Sequence, residues 1–270
     1  MSNVASYASG ALAMLRRDLS VFVSYRLRTV SLLLSTAFGL VLFYYISRLV
    51  RVGQFETADD YFAFVVIGMV SLSVLTSTLA TGPATIRQEL VAGTFERLLV
   101  SPFGAVAGII SLSLFPLLYG LLIGFLTLAL AAIFFGLPIT WSTAPLAIPI
   151  GILGAMSFMP FGLLISAAML TVKQAQSASS FVVTGIAIVA GLYFPVTLLP
   201  TWIQWLSEVQ PFTPSVDLLR NVLVGTPLPG EAWVGVLKMV GFTVVLTPLS
   251  LVVLAAAVAL GRRRGTISEY

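Results

Sequence analysis

Residues 89–102 read Glu89-Leu90-Val91-Ala92-Gly93-Thr94-Phe95-Glu96-Arg97-Leu98-Leu99-Val100-Ser101-Pro102, and Arg87 lies just before them. No residue between Asp60 and Arg87 is charged, and none between Arg97 and Lys173 is charged either. Because the core of a bilayer disfavours charge, this pattern predicts a short aqueous loop between two membrane-embedded regions. A membrane protein that concentrates charge in one loop is placed to present that loop to a partner in water.

The composition is that of an integral membrane protein. Of the 270 residues, 59% are hydrophobic and only 9% are charged, and the mean hydropathy is +1.06. Soluble domains carry about 25% charged residues. The net charge of +4 comes from basic residues beside apolar stretches, so topology explains it and no nucleic-acid partner is expected.

The residue types present exclude several chemistries. Cysteine and histidine are both absent, which excludes thiol nucleophiles, histidine bases and the usual zinc sites, so no catalytic or metal-binding residue is expected. The two lysines are followed by Gln174 and Met239, so no phosphate-binding loop is present. We expect this chain to bind no cofactor itself, and any ATP and magnesium to be held by a separate subunit.

Spanning helices need about 20 mostly apolar residues. The sequence predicts an all-α, single-domain membrane protein over residues 1–270 with six such helices. Their expected bounds are Thr29–Ser47, Tyr61–Thr81, Gly108–Phe135, Ala144–Leu170, Ala178–Leu198 and Met239–Leu260.

The distribution of lysine and arginine predicts the orientation. With six spans, both termini lie on one side, and that side holds ten of the fourteen basic residues. The positive-inside rule therefore places both termini and the charged loop in the cytoplasm. The cell membrane is the expected location.

Residues 1–28 form the first flanking element. Apolar residues recur there at three- and four-residue steps, and serines together with Arg16 lie opposite, which predicts an amphipathic helix on the inner surface. Two interpretations stay open: a helix that contacts only lipid, or one that also contacts a cytoplasmic partner.

Residues 199–230 form the second flanking element. Five prolines divide this segment into short pieces, and Trp202 and Trp205 fit the headgroup zone. The pattern favours short helices that re-enter the outer leaflet.

The charged loop is expected to extend over residues 82–103. Thr85 and Gln88 match a capping pattern that would start a short helix at Ile86. Gly93 would interrupt this helix, and Thr94 would cap a second turn. This arrangement leaves Glu89, Glu96 and Arg97 free to pair with a partner. The alternative is an ordinary polar turn, although a topology anchor needs only basic residues.

These motifs resemble those of the type-2 permease family of ATP-binding-cassette exporters. The loop sequence from Glu89 to Pro102 looks like the segment between the family's second and third spans. The region from Leu199 through Gln210-Pro211-Phe212-Thr213-Pro214 to Arg220 resembles the segment before its last span. The length and the six spans also fit.

The resemblance implies a pair of permeases, identical or different, above two cytoplasmic ATPase subunits, with cargo passing between the permeases. It implies ATPase-coupling residues at Arg16, Arg17, Arg87, Glu89, Gly93, Thr94, Phe95, Glu96, Arg97, Ser101 and Pro102. It also implies outer re-entrant gate residues at Trp202, Trp205, Pro211, Asp217 and Arg220. Phe212-Thr213-Pro214-Ser215 departs from the family, in which an aromatic residue often follows the threonine.

Small polar residues mark two candidate linings of the passage. One is a stripe on the second span and the other lies on the fifth; their members are Ser73, Thr76, Ser77, Thr81, Ser180 and Thr184. The alternative is helix packing, which also favours small residues in membranes. Gly120 and Gly124 are expected to serve packing.

The function expected from these observations is the permease of an ATP-driven exporter that moves an amphipathic, drug-like or lipid-like cargo outward. Within the same family, a polysaccharide or glycolipid cargo is the alternative. Outside it, the alternatives are a non-transporting membrane scaffold and an enzyme that modifies lipids, which would have to use Glu56, Asp59 and Asp60.

Overall fold

The computed structural model describes residues 2–49, 53, 55–100, 104–171 and 175–264; for residues 2–8, 26, 28, 29, 99, 100, 175–178 and 264 it describes the backbone alone. The described residues form helices and connecting loops without a strand. The helices are α1 (Ser2–Ser24), α2 (Arg26–Leu49), α3 (Ala58–Thr76), α4 (Gly82–Val91), α5 (Phe95–Val100), α6 (Ala105–Phe135), α7 (Ala147–Thr171), α8 (Ala175–Val189), α9 (Thr201–Val209), α10 (Phe212–Val224) and α11 (Ala232–Arg264).

Five helical stretches in the described part of the chain are long and apolar enough to cross a membrane. They are Val30–Leu49, Ala58–Val91, Ala105–Phe135, Ala144–Thr171 and Ala232–Arg263. These correspond to predicted spans one, two, three, four and six, so a multi-pass, all-helical membrane protein is the correct architecture.

The fifth predicted span, Ala178–Leu198, is wrong as a single long helix. Helix α8 has 15 residues and ends at Val189, which gives it a length of about 22 Å, against about 30 Å for the hydrocarbon core. Gly191 then takes a left-handed conformation (φ 65°) and turns the chain. Residues 190–200 continue as turns and one short 3₁₀ segment, Val196–Leu198.

The two ends of the helix bundle are distinguished by their cores. At the end near residues 92–94, called here the loop end, one cluster joins α4, α5, α6, α7 and α11; it includes Ile86, Phe95, Ile109, Leu163 and Leu254. At the opposite end, called the far end, Phe62, Val66, Ala131 and Leu137 form a second cluster. Ile67, Leu219 and Leu223 form a third cluster there.

The second span is the most extensively buried of the five. It is continuous over 34 residues, Ala58–Val91, because α3 passes into a π-helical segment, Ser77–Thr81, and then into α4. The N–H of Gly82 donates to the carbonyl oxygen of Ser77, five residues earlier. At 1.5 Å per residue this rod is about 51 Å long, so it extends beyond a hydrocarbon core.

The predicted helix start at Ile86 is therefore wrong. Thr85 lies inside the continuous helix, and its hydroxyl donates to the carbonyl oxygen of Thr81 at 3.0 Å. Ser and Thr hydroxyls form such back-bonds within helices as well as caps, and the capping pattern does not distinguish the two. The helix ends at Val91, inside the segment expected to be a loop from residue 82.

Candidate functional sites at the two ends of the bundle

The loop end is built around a sharp turn between α4 and α5. Gly93 has φ of 69°, a left-handed conformation that favours glycine. Thr94 follows, and its carbonyl accepts from the N–H of Arg97 at 3.1 Å. The ring of Phe95 is fully buried in the loop-end core. This anchor fixes α5 beneath the bundle.

Glu89 is not free to pair with a partner, contrary to the sequence-based expectation. Its carboxylate lies 3.0 Å from the guanidinium of Arg17 on α1, and it also accepts a short hydrogen bond from the hydroxyl of Thr94. Arg17 in addition bonds Asp18 at 2.8 Å. Glu89 therefore joins α1, the end of α4 and the turn before α5.

The other predicted coupling residues differ in exposure. Arg16, Arg87, Glu96 and Arg97 are exposed. Glu96 and Arg97 are close to the start of α5, and neither forms an ion pair with another described residue. Ser101 and Pro102 lie outside the described residues.

Helix α1 contacts the bundle along its C-terminal half. The ring of Phe22 lies edge-on to Tyr119 at 5.4 Å and 6.1 Å from Phe115, both on α6. Together with the Arg17–Glu89 pair, these contacts tie α1 to two spans.

The far end contains α9 and α10, which lie where the sequence predicts re-entrant helices. Trp202 and Trp205 are on the exposed side of α9. Pro211 is buried and directly precedes α10, and the ring of Phe212 packs edge-on against Phe158 at 5.0 Å. The buried side of α10 faces the far-end clusters, so this helix belongs to the fold core rather than to a mobile loop.

Arg220 is the most constrained charged residue of the described chain. Only 3% of the residue is exposed. Its Nη2 donates to the carbonyl oxygens of Gly191 at 2.9 Å, Leu192 at 3.2 Å and Phe64 at 3.3 Å. Its guanidinium carbon lies 3.3 Å from the centroid of the Phe64 ring. Arg220 thus joins α10 to the first turns of α3 and to the chain that follows α8.

The acidic neighbour of Arg220 completes this arrangement. The Asp217 carboxylate lies 3.8 Å from Nη1 of Arg220, within ion-pair range and beyond hydrogen-bond range. Burial raises the pKa of Asp217, and the Arg220 charge acts in the opposite direction. Burial likewise lowers the pKa of Arg220, opposed by the Asp217 charge.

The polar stripe on the second span is placed in a helix interface. The Ser73 hydroxyl donates to the carbonyl oxygen of Gly120 at 3.1 Å. A Cβ atom on Gly120 would lie 2.7 Å from Cβ of Ser77, so α3 and α6 approach closely only because residue 120 is glycine. A Cβ atom on Gly124 would likewise lie 3.1 Å from a methyl carbon of Val70 in the same interface. Ser73 and Ser77 therefore pack against α6 within a single chain.

The remaining lining candidates have different surroundings. Thr76 and Thr81 are half-buried, and Ser180 and Thr184 are exposed on α8. Among these, Thr184 is followed by Gly185, at which an added Cβ would contact nothing within 4 Å. This face of α8 is therefore open in the single chain.

Sequence reasoning missed the partners of Arg220, because all four of its hydrogen bonds end on backbone carbonyls far away along the chain. One signal was available. Gly68 interrupts an apolar span, and a Cβ atom there would overlap the carbonyl oxygen of Leu192. No group of three or more metal-ligating side chains occurs among the described residues.

Comparison with known proteins agrees with this architecture. Over 170 residues the chain is 27% identical to Nodulation protein J of Rhizobium meliloti (strain 1021); the alignment covers 63% of this chain and 64% of that protein. The chain thus spans less than two thirds of the length of this relative. A model of the ABC-2 type transporter family matches residues 11–224, a range that includes both ends described above. The chain therefore belongs to the ABC-2 type transporter family and is a membrane permease of an ATP-binding-cassette transporter.

Proposed function

We propose that this permease exports an amphipathic, drug-like or lipid-like molecule, and that its loop end receives the force of a separate ATPase subunit. Two permeases would pair above two ATPases, with both termini and the loop end in the cytoplasm. The family implies an ATPase partner; the number of copies, the orientation and the cargo are parts of this proposal.

The observation that carries the proposal is the second span. One continuous helix of 34 residues has the charged turn and α5 at one end and the Arg220 contacts at the other. A displacement of α5 by a partner would therefore act on a rigid element that reaches the far end.

The charge distribution supports the proposed orientation. The loop end holds Arg16, Arg17, Arg87, Arg97, Arg262 and Arg263 among the described residues, whereas the far end holds most of the acids. A cytoplasmic loop end obeys the positive-inside rule. Glu96 and Arg97 at that end are exposed and form no ion pair with another described residue, so they offer an ATPase one acceptor and one set of donors.

The packing of the polar stripe supports an amphipathic cargo over a polysaccharide. A hydrophilic polymer needs polar groups along its passage. Ser73 and Ser77 pack against α6, so the second span offers few polar groups to a passage. The exposed side chains of α2 and α8 are predominantly apolar, including Phe38, Leu42 and Phe181.

The open face of α8 supports pairing with a second permease. Ser180, Thr184 and Gly185 make a small-residue face of the kind that packs closely between membrane helices. Because the chain has no cysteine, a single Thr184→Cys substitution would form a disulfide-linked dimer under oxidising conditions. Phe125→Cys on α6, which is also exposed in the single chain, is the control and should remain monomeric.

The coupling role is tested with the ATPase subunit reconstituted in lipid with the permease. Glu96→Ala combined with Arg97→Ala should lower cargo-stimulated ATP hydrolysis and export while leaving the permease folded. Arg48→Ala, which removes an exposed ion pair at the far end, is the matched control. Unchanged export in the double variant would reject the role assigned to α5, and export by the permease alone would reject the dependence on an ATPase.

A further inference from the structure

A cavity of about 860 Å³ opens at the far end between α9, α10 and the first turns of α11. Ligand sites in proteins have about this size, with apolar walls and a few convergent polar groups. The apolar part of the wall comes from Pro195, Val196, Leu218, Leu228 and Val234. The charged part of the wall comes from five residues: Glu208, Asp217, Arg220, Glu231 and Lys238.

The acceptors of this cavity are incompletely satisfied. No described residue donates a hydrogen bond to the Asp217 carboxylate, whose nearest cation is 3.8 Å away. The side chain of Asp217 is 26% exposed, and that exposure is toward the cavity. The Glu208 carboxylate likewise receives no hydrogen bond from the described chain. Glu231 differs, since it accepts from the indole N–H of Trp233.

The donors of the cavity also have unused capacity. Lys238 has three ammonium hydrogens, and its Nζ donates to one described acceptor, the carbonyl oxygen of Glu208 at 3.1 Å. On Arg220, Nε and Nη2 bind carbonyl oxygens, and Nη1 has only the long approach to Asp217. The cavity therefore offers both negative acceptors and positive donors.

Because both negative and positive side chains line the cavity, they favour one class of ligand. A simple anion would meet three carboxylates, and a simple cation would meet Arg220 and Lys238. A headgroup with one ammonium and one acidic group would satisfy both sets through charge-assisted hydrogen bonds, which are stronger than neutral ones. The proline- and leucine-rich wall would hold an apolar chain.

We propose that this cavity binds the zwitterionic headgroup of an amphiphile, with Asp217 accepting from its ammonium and Lys238 donating to its acidic group. Two sources share this chemistry: the exported molecule, or a lipid of the leaflet at the far end. Binding itself does not depend on the proposed function; only the assignment of the amphiphile as cargo rests on it.

Binding is measured on the whole permease in nanodiscs, without ATPase, using three single-chain probes of equal acyl length. The probes are lysophosphatidylethanolamine, the anionic lysophosphatidylglycerol and an uncharged alkyl maltoside. Since a hydrogen bond to a charged group contributes about 1.5–3 kcal/mol, the zwitterion should bind about tenfold or more tighter than either control. Equal affinity for the maltoside would overturn the proposal in favour of a polyol site.

Three variants locate the binding to the cavity. Asp217→Asn and Lys238→Gln should each weaken zwitterion binding about tenfold. The ratio of the affinity for the zwitterion to the affinity for the maltoside should fall accordingly. Ala232→Trp, which adds bulk to the exposed wall, should block all three probes. Glu56→Gln removes an exposed carboxylate outside the cavity and should bind like the unmodified chain.

Folding is checked by the elution volume and melting temperature of each variant. If Asp217→Asn does not fold because of its contact with Arg220, the exposed Lys238→Gln still decides the question. Undiminished binding in Lys238→Gln and Ala232→Trp would overturn the site. A final arm adds the ATPase: export of the probe identifies it as cargo, and retention of bound probe without export identifies it as a bound lipid. In that second case the site stands, and the proposed function is tested separately by the Glu96→Ala and Arg97→Ala double variant.

Discussion

The two ends of the second span are held by opposite kinds of contact. At the far end, Arg220 is almost fully buried and binds carbonyl oxygens of three residues. At the loop end, the partner of Glu89 is Arg17, whose side chain is 48% exposed. Buried charges are strongly destabilising when their partners are removed, whereas exposed ion pairs contribute about 0–1 kcal/mol. The charged contacts therefore lock the far end of this helix, whereas at the loop end they are partly exposed and the buried Phe95 ring is the anchor.

This difference suits a helix that is driven from one end. At the loop end, Glu89 can exchange its contacts with Arg17 and Thr94 for contacts with a partner at small cost. A locked end moves only as a unit with α10 and with the chain after α8. The comparison predicts that substitutions at the far end act on stability, whereas those at the loop end act on coupling.

The largest effect is expected from Arg220→Leu. The substitution leaves the Asp217 charge uncompensated and removes the donors to three carbonyls, so stability should fall by about 3–5 kcal/mol. The measurement is thermal or denaturant unfolding in detergent. Arg220→Lys keeps the charge and loses the planar fork, so it should recover only part of the loss. An unchanged melting temperature in Arg220→Leu would show that the far end is not locked.

Gly68→Ala should have the next largest effect. The added methyl group would overlap the carbonyl oxygen of Leu192, and backbone on both sides must move. Overpacking of this kind costs about 1–3 kcal/mol. Gly185→Ala, on the open face of α8, introduces the same methyl group without a contact and should unfold at the temperature of the unmodified chain or higher. Equal behaviour of the two variants would contradict the close approach of α3 to residue 192.

Thr57→Ala tests whether the first turn of the second span also contributes to the stability of the far end. The Thr57 hydroxyl accepts from the N–H of Asp60 at 3.2 Å, and the Asp60 carboxylate accepts from the N–H of Thr57 at 2.9 Å. Loss of such a cap costs about 1 kcal/mol. Unfolding of the variant should occur at a correspondingly lower denaturant concentration, with Glu56→Gln as the neighbouring control.

The smallest effect on stability is expected from the Arg17–Glu89 pair. A double-mutant cycle of Arg17→Ala and Glu89→Gln should give a coupling energy of about 0.2–1 kcal/mol that decreases with added salt. ATP-driven export should nevertheless fall in both single variants, because α1 loses its ionic contact with the end of α4, next to the turn before α5. A coupling energy as large as the Arg220 effect would remove the distinction between the two ends.

The sequence predicted the architecture wherever the hydrophobic pattern was long and uninterrupted. Five of the six spans were found close to their expected positions, and the helices α9 and α10 lie in the proline-rich segment where short helices were expected. The failed span, Ala178–Leu198, has apolar residues throughout. Its helix ends because Gly191 turns the backbone and Leu192 packs against Gly68, and this reason is tertiary rather than local.

For the candidate sites, the sequence singled out individual residues but not the groups that these residues contact. Charge spacing singled out Glu89, and the family resemblance singled out Arg220; the functional roles of both stay predictions. The sequence did not reveal that Glu89 is paired with Arg17, which lies 72 positions earlier in the chain. It also did not reveal that Arg220 binds backbone carbonyl oxygens. The hydroxyl stripe of Ser73 and Ser77 was ambiguous between passage and packing, and only the proximity of Gly120 distinguishes the two.

The π-helical segment Ser77–Thr81 changes how side chains along the second span should be counted. A turn closed by a bond to the fifth preceding residue contains one residue more than an α-helical turn, and each residue advances an α-helix by about 100°. Side chains that follow Thr81 are therefore rotated about the helix axis, relative to the positions that an uninterrupted α-helix would give them with respect to the side chains before Ser77. Removing one residue here would restore the α-helical phase and rotate Glu89 away from Arg17, so the angular setting of the loop is encoded in the middle of the span.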